Sequence, residues 1–399
     1  MIKNKTHRSY LLNRLFRPAN RRDFRLVYFC FGEMTHLRYF MPLIKELRSR
    51  GIFSCFLFYF SGKYNCPSKH KKELDNLCKD YDVEKIPIEQ FKDQNQIIFC
   101  VEKTCEIAIK QKGVPVNNNF YVLTYQFDYV MNYDIYEKYA KNIIFPSKWF
   151  LEHCESFIGD KRIEPTKWSL EKIKSKKNVF LGSPKYDVSL NKEKILRKYK
   201  LSKKKKVLFL FPAIAQALTS VCSAGGMWTT NEPRGLTLKQ INEIYEVLRR
   251  NGFEVLVKSR IKHPISAGCE GDRHFYDDSW FPYTSMELMQ VSDLVIAVDS
   301  TAAKECAIQK VPFINISLKN EEVCTSTENL FSPLFKFNFF KNYKGFPGAS
   351  ELEKSVKYLT NNNFSQDFQR AINSYLFEAG ESSKNIIDLI TSEIDTGKQ

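Results

Sequence analysis

Apolar positions along the chain fall into short continuous runs separated by amphipathic stretches, beginning with residues 26–31. Residues 37–50 then carry apolar side chains at helical spacing and end at Gly51, after which 52–60 is apolar again. This order of strand, helix and strand is the start of a βαβ unit. Further strands are predicted over 120–124, 142–145 and 179–181, with helices near 69–79, 102–111 and 149–157. A second alternating series follows: strand 207–211, helix 237–250 closed by Gly252, strand 253–257, helix 285–291, strand 294–298, helix 301–309 and strand 311–316. Strands so continuously apolar, joined by helices, predict parallel sheets covered on both faces. The polar, lysine-rich stretch 191–206 between the two series reads as an interdomain connection whose charges are solvated.

Length agrees with this division, because 399 residues exceed what one core holds. The expected layout is a basic arm over 1–23, a first Rossmann-like domain over 24–190, a linker over 191–206, a second Rossmann-like domain over 207–345 and C-terminal helices over 346–399. A hydrophobic fraction of 43% excludes a disordered or fibrous chain. Lys and Arg number 61 against 45 Asp and Glu, a formal charge of +16 that predicts an anionic partner. Neither zinc-finger spacing nor an aromatic RNA-binding motif accompanies that charge, so nucleic acid is not expected.

The 11 cysteines are scattered without a CxxC pair, which predicts reduced thiols, a cytoplasmic protein and no metal site. No apolar run reaches the roughly 20 residues of a membrane-spanning helix. Residues 1–22 interleave Lys3, Lys5, Arg8, Arg14, Arg17, Arg21 and Arg22 with Tyr10, Leu11, Leu12, Leu15 and Phe16. That arm fits either a tether on an anionic membrane surface or a disordered basic tail.

Parallel sheets of this kind bind ligands at the carboxyl ends of their strands, so candidate chemistry lies in the loops that follow them. After the first strand comes Gly32-Glu33-Met34-Thr35-His36, where Glu33 and His36 stand as candidate general bases. The structural alternative is a helix start with Thr35 as N-cap. In the second series, strand 294–298 runs into Asp299-Ser300-Thr301 and on to Glu305. Hydroxyls and backbone amides at a helix start suit a donor diphosphate, and Glu305, about one turn on, suits ribose hydroxyls. A plain helix cap with a solvated Glu305 is the alternative. Lys258 and Arg260, with Lys262 and His263 behind them, suit a nucleotide phosphate or simply a solvated charge run. Gly225-Gly226 could approach a ligand through its amides, although such a pair is more often a turn. Ser147, Ser183 and Lys185 follow predicted strands as cleft and acceptor-side candidates or as capped turns.

Taken in order, these motifs resemble the GT-B superfamily over about residues 25–390, and within it bacterial capsule, teichoic-acid and lipopolysaccharide enzymes, CDP-glycerol glycerophosphotransferases included. Phe31-Gly32-Glu33 resembles the Kdo transferases, which implies a catalytic Glu33. The Gly32 to His36 spacing resembles N-acetylglucosaminyl transferases, which implies a catalytic His36. Gly182-Ser183-Pro184-Lys185-Tyr186-Asp187 is similar to the segment closing the first domain in glycerophosphotransferases and UDP-N-acetylglucosamine 2-epimerases. Asp299-Ser300-Thr301-Ala302-Ala303-Lys304-Glu305 is similar to their donor site, but it lacks the Ser-Gly-Gly and paired glutamates of the epimerases. Residues 378–384, leading into 386–394, resemble a terminal helix that crosses back to the first domain.

The resemblance implies an α/β, GT-B architecture of two Rossmann-like parallel-sheet domains facing a cleft. It implies a metal-independent glycosyltransferase without a cofactor, whose nucleotide-sugar donor is a substrate and whose acceptor is a surface glycan or a lipid-linked molecule. A glycerophosphotransferase, or a non-catalytic nucleotide- or carbohydrate-binding scaffold, would carry the same pattern.

Overall fold

The residues that alternate along the first strand, β1 (Leu26–Phe31), divide between two cores. Tyr28 and Cys30 point into one, and Val27, Phe29 and Phe31 into the other, as the two-residue side-chain period requires. A computed structural model describes residues 26–59, 68–92, 96–101, 105, 107–114, 119–124, 133–148, 175–210, 236–259, 265, 267–298, 300, 302–317, 334–375 and 380–396. The basic arm and the expected helix over 149–157 lie outside these residues.

From β1 the chain continues through α1 (Leu37–Ser49), β2 (Phe53–Phe58), α2 (Ser68–Asp80), β3 (Glu84–Pro87), β4 (Ile97–Val101) and a π-helical turn (Ile107–Gln111). Then come β5 (Phe120–Leu123), α3 (Tyr133–Tyr139), β6 (Asn142–Phe145) and β7 (Asn178–Phe180). The seven strands form one sheet, ordered β3-β2-β1-β4-β5-β6-β7, with every pair parallel. Aromatic contacts dominate one face: Phe29 stacks on Phe99 at 5.4 Å and Phe31 meets Phe56 at 4.8 Å. Each such ring, removed from water, stabilises the fold by roughly 2 kcal/mol.

The stretch expected as a solvated linker is partly built into the second domain. Asn191 caps α4 (Lys192–Lys198), accepting from the Lys194 amide at 2.9 Å. Ile195, Leu196 and Tyr199 sit at helical spacing and enter the second core, while Lys206, the last residue of the charge run, is buried 3.8 Å from Glu254. Charge composition described the outer face of this segment and missed its apolar one.

The second sheet contains β8 (Lys206–Leu210), β9 (Glu254–Lys258), β10 (Arg273–Phe275), β11 (Leu294–Val298), β12 (Phe313–Ser317) and β13 (Phe340–Lys344). Its order is β10-β9-β8-β11-β12-β13, again all parallel. Among its helices are α5 (Leu238–Arg250), α6 (Thr284–Gln290), α7 (Ala303–Gln309), α8 (Ala349–Asn361) and α9 (Ser365–Tyr375). Thr237 and Gln240 open α5 with reciprocal side-chain to backbone bonds, a capping box.

Both sheets share one winding, in which the order reverses beside the first strand of each. The crevices at such reversals are where ligands bind. The last helix, α10 (Ser382–Thr396), returns to the first domain. Ile386, Ile387 and Ile390 join the core around α1, and Arg50 pairs with Asp388 at 2.6 Å. Asp187 anchors the start of α10, accepting from the amides of Gly380 at 2.7 Å and of Ser383. Among the described residues no helix is long and apolar enough to cross a membrane.

Candidate functional site

The reversal in the first sheet lies between β1 and β4, and the loop after β1, with the candidate residues Glu33 and His36, opens there. A Cβ at Gly32 would lie 2.7 Å from the Tyr59 ring, so the close approach of that ring requires glycine. The Gly32 amide donates to Nδ1 of His36 at 3.3 Å, across a single 3₁₀ turn (Met34–His36). Nε2 of His36 lies 3.6 Å from Oε1 of Glu33, and the same oxygen accepts from the Thr35 hydroxyl at 2.6 Å. Thr35, the N-cap alternative of the sequence, thus spends its hydroxyl on the Glu33 side chain. His36 is buried among Phe31 and Phe40, whose rings approach it edge-on at 6.0 and 5.6 Å. The Glu33 side chain keeps 26% of its surface exposed.

Facing this loop is the second domain. Lys258 ends β9, buried, with its ammonium 2.8 Å from Oδ1 of Asp277. The Tyr283 hydroxyl donates to the same oxygen at 3.3 Å. The Tyr283 ring lies between cations of the two domains, with Lys258 at 5.2 Å and Arg38, from the first turn of α1, at 4.7 Å. After β11, at the reversal of the second sheet, the Ser300 hydroxyl accepts from the Ala302 amide at 3.2 Å. Arg260, Asp299, Thr301, Gly225 and Gly226 lie outside the described residues.

Several polar contacts tie the domains together beside these groups. Lys185, in the turn after β7, forms an ion pair with Glu305 of α7, and both side chains are largely enclosed. Burial pulls the Lys185 ammonium below its ordinary pKa, against the attraction of Glu305. Burial would push Glu305 upward, but the charge and hydrogen bond of Lys185, with a further contribution from Arg38, hold it below the usual carboxylate range. Glu305, a ribose candidate in the sequence, therefore meets the first domain through this lysine. Further out, Glu73 of α2 accepts from the amides of Trp280 at 2.7 Å and Phe281 at 3.3 Å and from the Ser279 hydroxyl at 3.2 Å. Nδ1 of His70 accepts from the Trp280 indole at 3.1 Å.

The fold thus brings Glu33, His36 and Lys185 to one lip and Lys258, Ser300 and Glu305 to the other. Ser183 is buried at the start of the turn Pro184–Tyr186, and Ser147 donates to the Tyr375 carbonyl at 2.8 Å, joining the first domain to the end of α9. Arg38, Glu73, Asp277 and Tyr283 were not legible in the sequence. Arg38, Glu73 and Tyr283 act across the domain boundary, and Asp277 meets Lys258 from 19 residues away, so local spacing carries no signal of them.

By sequence, no protein-family profile and no curated protein matches the chain. By structure, a variant of the wall teichoic acid polymerase TagF soaked with CDPG superposes with a TM-score of 0.58 and 15% identity, covering 94% of this chain and 90% of that one. A putative UDP-N-acetylglucosamine 2-epimerase from Listeria monocytogenes gives 0.56 and 12%, covering 94% and 97%. The kitacinnamycin glycotransferase gives 0.50 and 8%, covering 93% and 99%. These likenesses establish the fold as GT-B, with two parallel-sheet domains spanning nearly the whole chain.

Proposed function

We propose that this protein is a glycosyltransferase that moves a sugar from a nucleotide-activated donor to a surface-glycan or lipid-linked acceptor. The observation that carries this function is the pairing of a Glu33–His36 couple after β1 with Lys258 and Ser300 at the strand ends of the opposite domain. A base from the first lip takes the proton of the acceptor hydroxyl. The acceptor oxygen then bonds to the anomeric carbon while the bond from that carbon to the donor phosphate breaks. The nucleotide leaves with the electron pair. Lys258 and Arg260, with the hydroxyls of Ser300 and Thr301, stabilise the charge that grows on its phosphate, as preorganised donors in a partly dry cleft do. The basic arm over 1–22 holds the enzyme near an anionic membrane surface that carries the acceptor.

A glycerophosphate transfer has support of its own, since TagF, solved with CDPG, shares the fold. There the acceptor oxygen bonds to phosphorus and CMP leaves. Product analysis separates the two chemistries, because one leaves a glycosidic bond and the other a phosphodiester.

A thermal-shift screen against UDP, CMP, CDP, GDP and their sugar or glycerol conjugates tests the donor. Ligand at 100 times its Kd stabilises the native state by about 2.7 kcal/mol, so one nucleotide family should raise Tm clearly. Replacing Ser300 and Thr301 together by alanine should remove most of that rise. A chain that responds to none of these nucleotides would not be a transferase of this kind.

A further inference from the structure

Glu33 and His36 are both candidate bases by position, but their geometry distinguishes them. We infer that Glu33 takes the acceptor proton and that His36 is a positioning residue acting through it. The chemical part of this inference rests on the transferase function; the geometric part does not.

Gly32 decides which nitrogen of His36 carries the proton. Its amide proton points at Nδ1 of His36 from 3.3 Å, so that nitrogen presents a lone pair and the imidazole proton resides on Nε2. The opposite tautomer would set two N–H groups against each other. The Tyr59 ring packs against Gly32, where a Cβ would stand 2.7 Å from it. His36 therefore has Nδ1 engaged as an acceptor and carries its proton on Nε2, 3.6 Å from Oε1 of Glu33, with no lone pair left for a substrate hydroxyl. It is also enclosed, with 1% of its surface exposed.

Glu33 has the complementary properties. Its Oε1 receives the Thr35 hydroxyl at 2.6 Å and faces the His36 N–H at 3.6 Å, which leaves Oε2 to meet the acceptor. The latter distance exceeds a hydrogen bond, and contacts of this type tighten when substrate binds. In the transfer, the acceptor O–H bond breaks and its proton goes to Oε2 of Glu33. The acceptor oxygen makes the new bond as the nucleotide leaves with its electron pair. His36 remains neutral throughout. Its N–H orients the carboxylate and supports the carboxylate charge until the proton arrives.

Long-range 1H–15N correlation spectra of the full chain test the geometry without any assumption about activity. His36 is assigned, among the six histidines, by the signals missing from H36Q. The expected result is the Nε2–H tautomer, with ring resonances that move in E33Q. An Nδ1–H tautomer, or resonances indifferent to E33Q, would overturn the inference. The kinetic test uses CDP-glycerol and UDP-N-acetylglucosamine as probes, with nucleotide release as the readout. E33Q should lower kcat by about 10²-fold or more. H36F should lower it by roughly 10- to 100-fold, the worth of one charge-assisted hydrogen bond, with KM little changed. H36Q, which keeps an N–H donor, should recover most of that loss, and H36F should add nothing to E33Q. If H36F costs as much in E33Q as in the wild type, His36 acts on its own and the inference fails. If neither probe is turned over, the transferase function fails for those donors, while the spectra still decide the tautomer and its coupling to Glu33. If H36F does not fold, the wild-type spectrum and H36Q carry the test.

Discussion

Gly32 shows how one residue can be noticed for one reason and required for another. Its place after β1 suggests a tight turn, yet the constraint that the fold imposes is the Tyr59 ring, 2.7 Å from where a Cβ would be. Gly32→Ala should therefore destabilise the protein by about 1–3 kcal/mol, since the ring must shift in a packed core, and urea unfolding measures this directly. Glu33 should behave oppositely. If the proposed function holds, E33Q should abolish most turnover while leaving nucleotide-induced stabilisation intact, because Glu33 would meet the acceptor while Lys258 and Ser300, in the other domain, would meet the donor. Equal loss of both would indicate a donor-binding role. The place of Glu33 and His36 in the loop after the first parallel strand was legible from the strand and helix pattern. Their division of labour was not, since it depends on which nitrogen the Gly32 amide meets.

Most strands were legible where burial on both faces makes them continuous apolar runs. Central strands such as β1, β2, β8 and β11 are continuous apolar runs because both faces of the sheet are covered, and their positions follow from that pattern. Of the edge strands, β7 followed from the pattern, whereas β3, β10 and β13 escaped it. They carry Glu84, Lys85, Pro87, Arg273, His274, Lys341 and Lys344, the polar and proline content that keeps a sheet edge from pairing further. β4 is a different case, a short apolar run whose periodicity does not by itself separate a strand from a buried helix segment. Helix starts were clearest where the chain caps itself. Thr237→Ala should cost about 1 kcal/mol, read as a lower midpoint in urea with an unchanged slope. In α10, Ile387 is fully buried against the first domain. Ile387→Ala should cost about 2–5 kcal/mol and expose the end of the chain to limited proteolysis; a protected terminus in that variant would show that α10 docks by other contacts.

The two domains meet through polar groups at the centre of the cleft, which links assembly of the site to pH. Glu305 titrates below its ordinary 4.5, so the stability it contributes is fully present above that value and is lost as the pH falls through its folded pKa. E305Q leaves Lys185 buried without its partner, and such a loss costs about 3–5 kcal/mol. The difference between wild type and E305Q should accordingly be constant near neutral pH and shrink below about 4.5. Urea titrations at several pH values check this, and a difference that persists into acid would mean that Glu305 is not held by Lys185 in solution. Adding K185M to E305Q should restore part of the loss, because no charge then remains buried.

The division into two parallel-sheet halves, the core strands and the loops that carry Glu33, His36, Lys258 and Ser300 all follow from local periodicity, because burial on both faces and helical spacing are written in consecutive residues. The pairing of Lys185 with Glu305, the Tyr283 ring between Arg38 and Lys258, the grip of Glu73 on the 279–281 turn and the tautomer of His36 do not. The first three join residues distant in the chain and come into being only when the two sheets are wound and closed on one another; the tautomer depends on an angle in the loop after β1 that spacing does not encode.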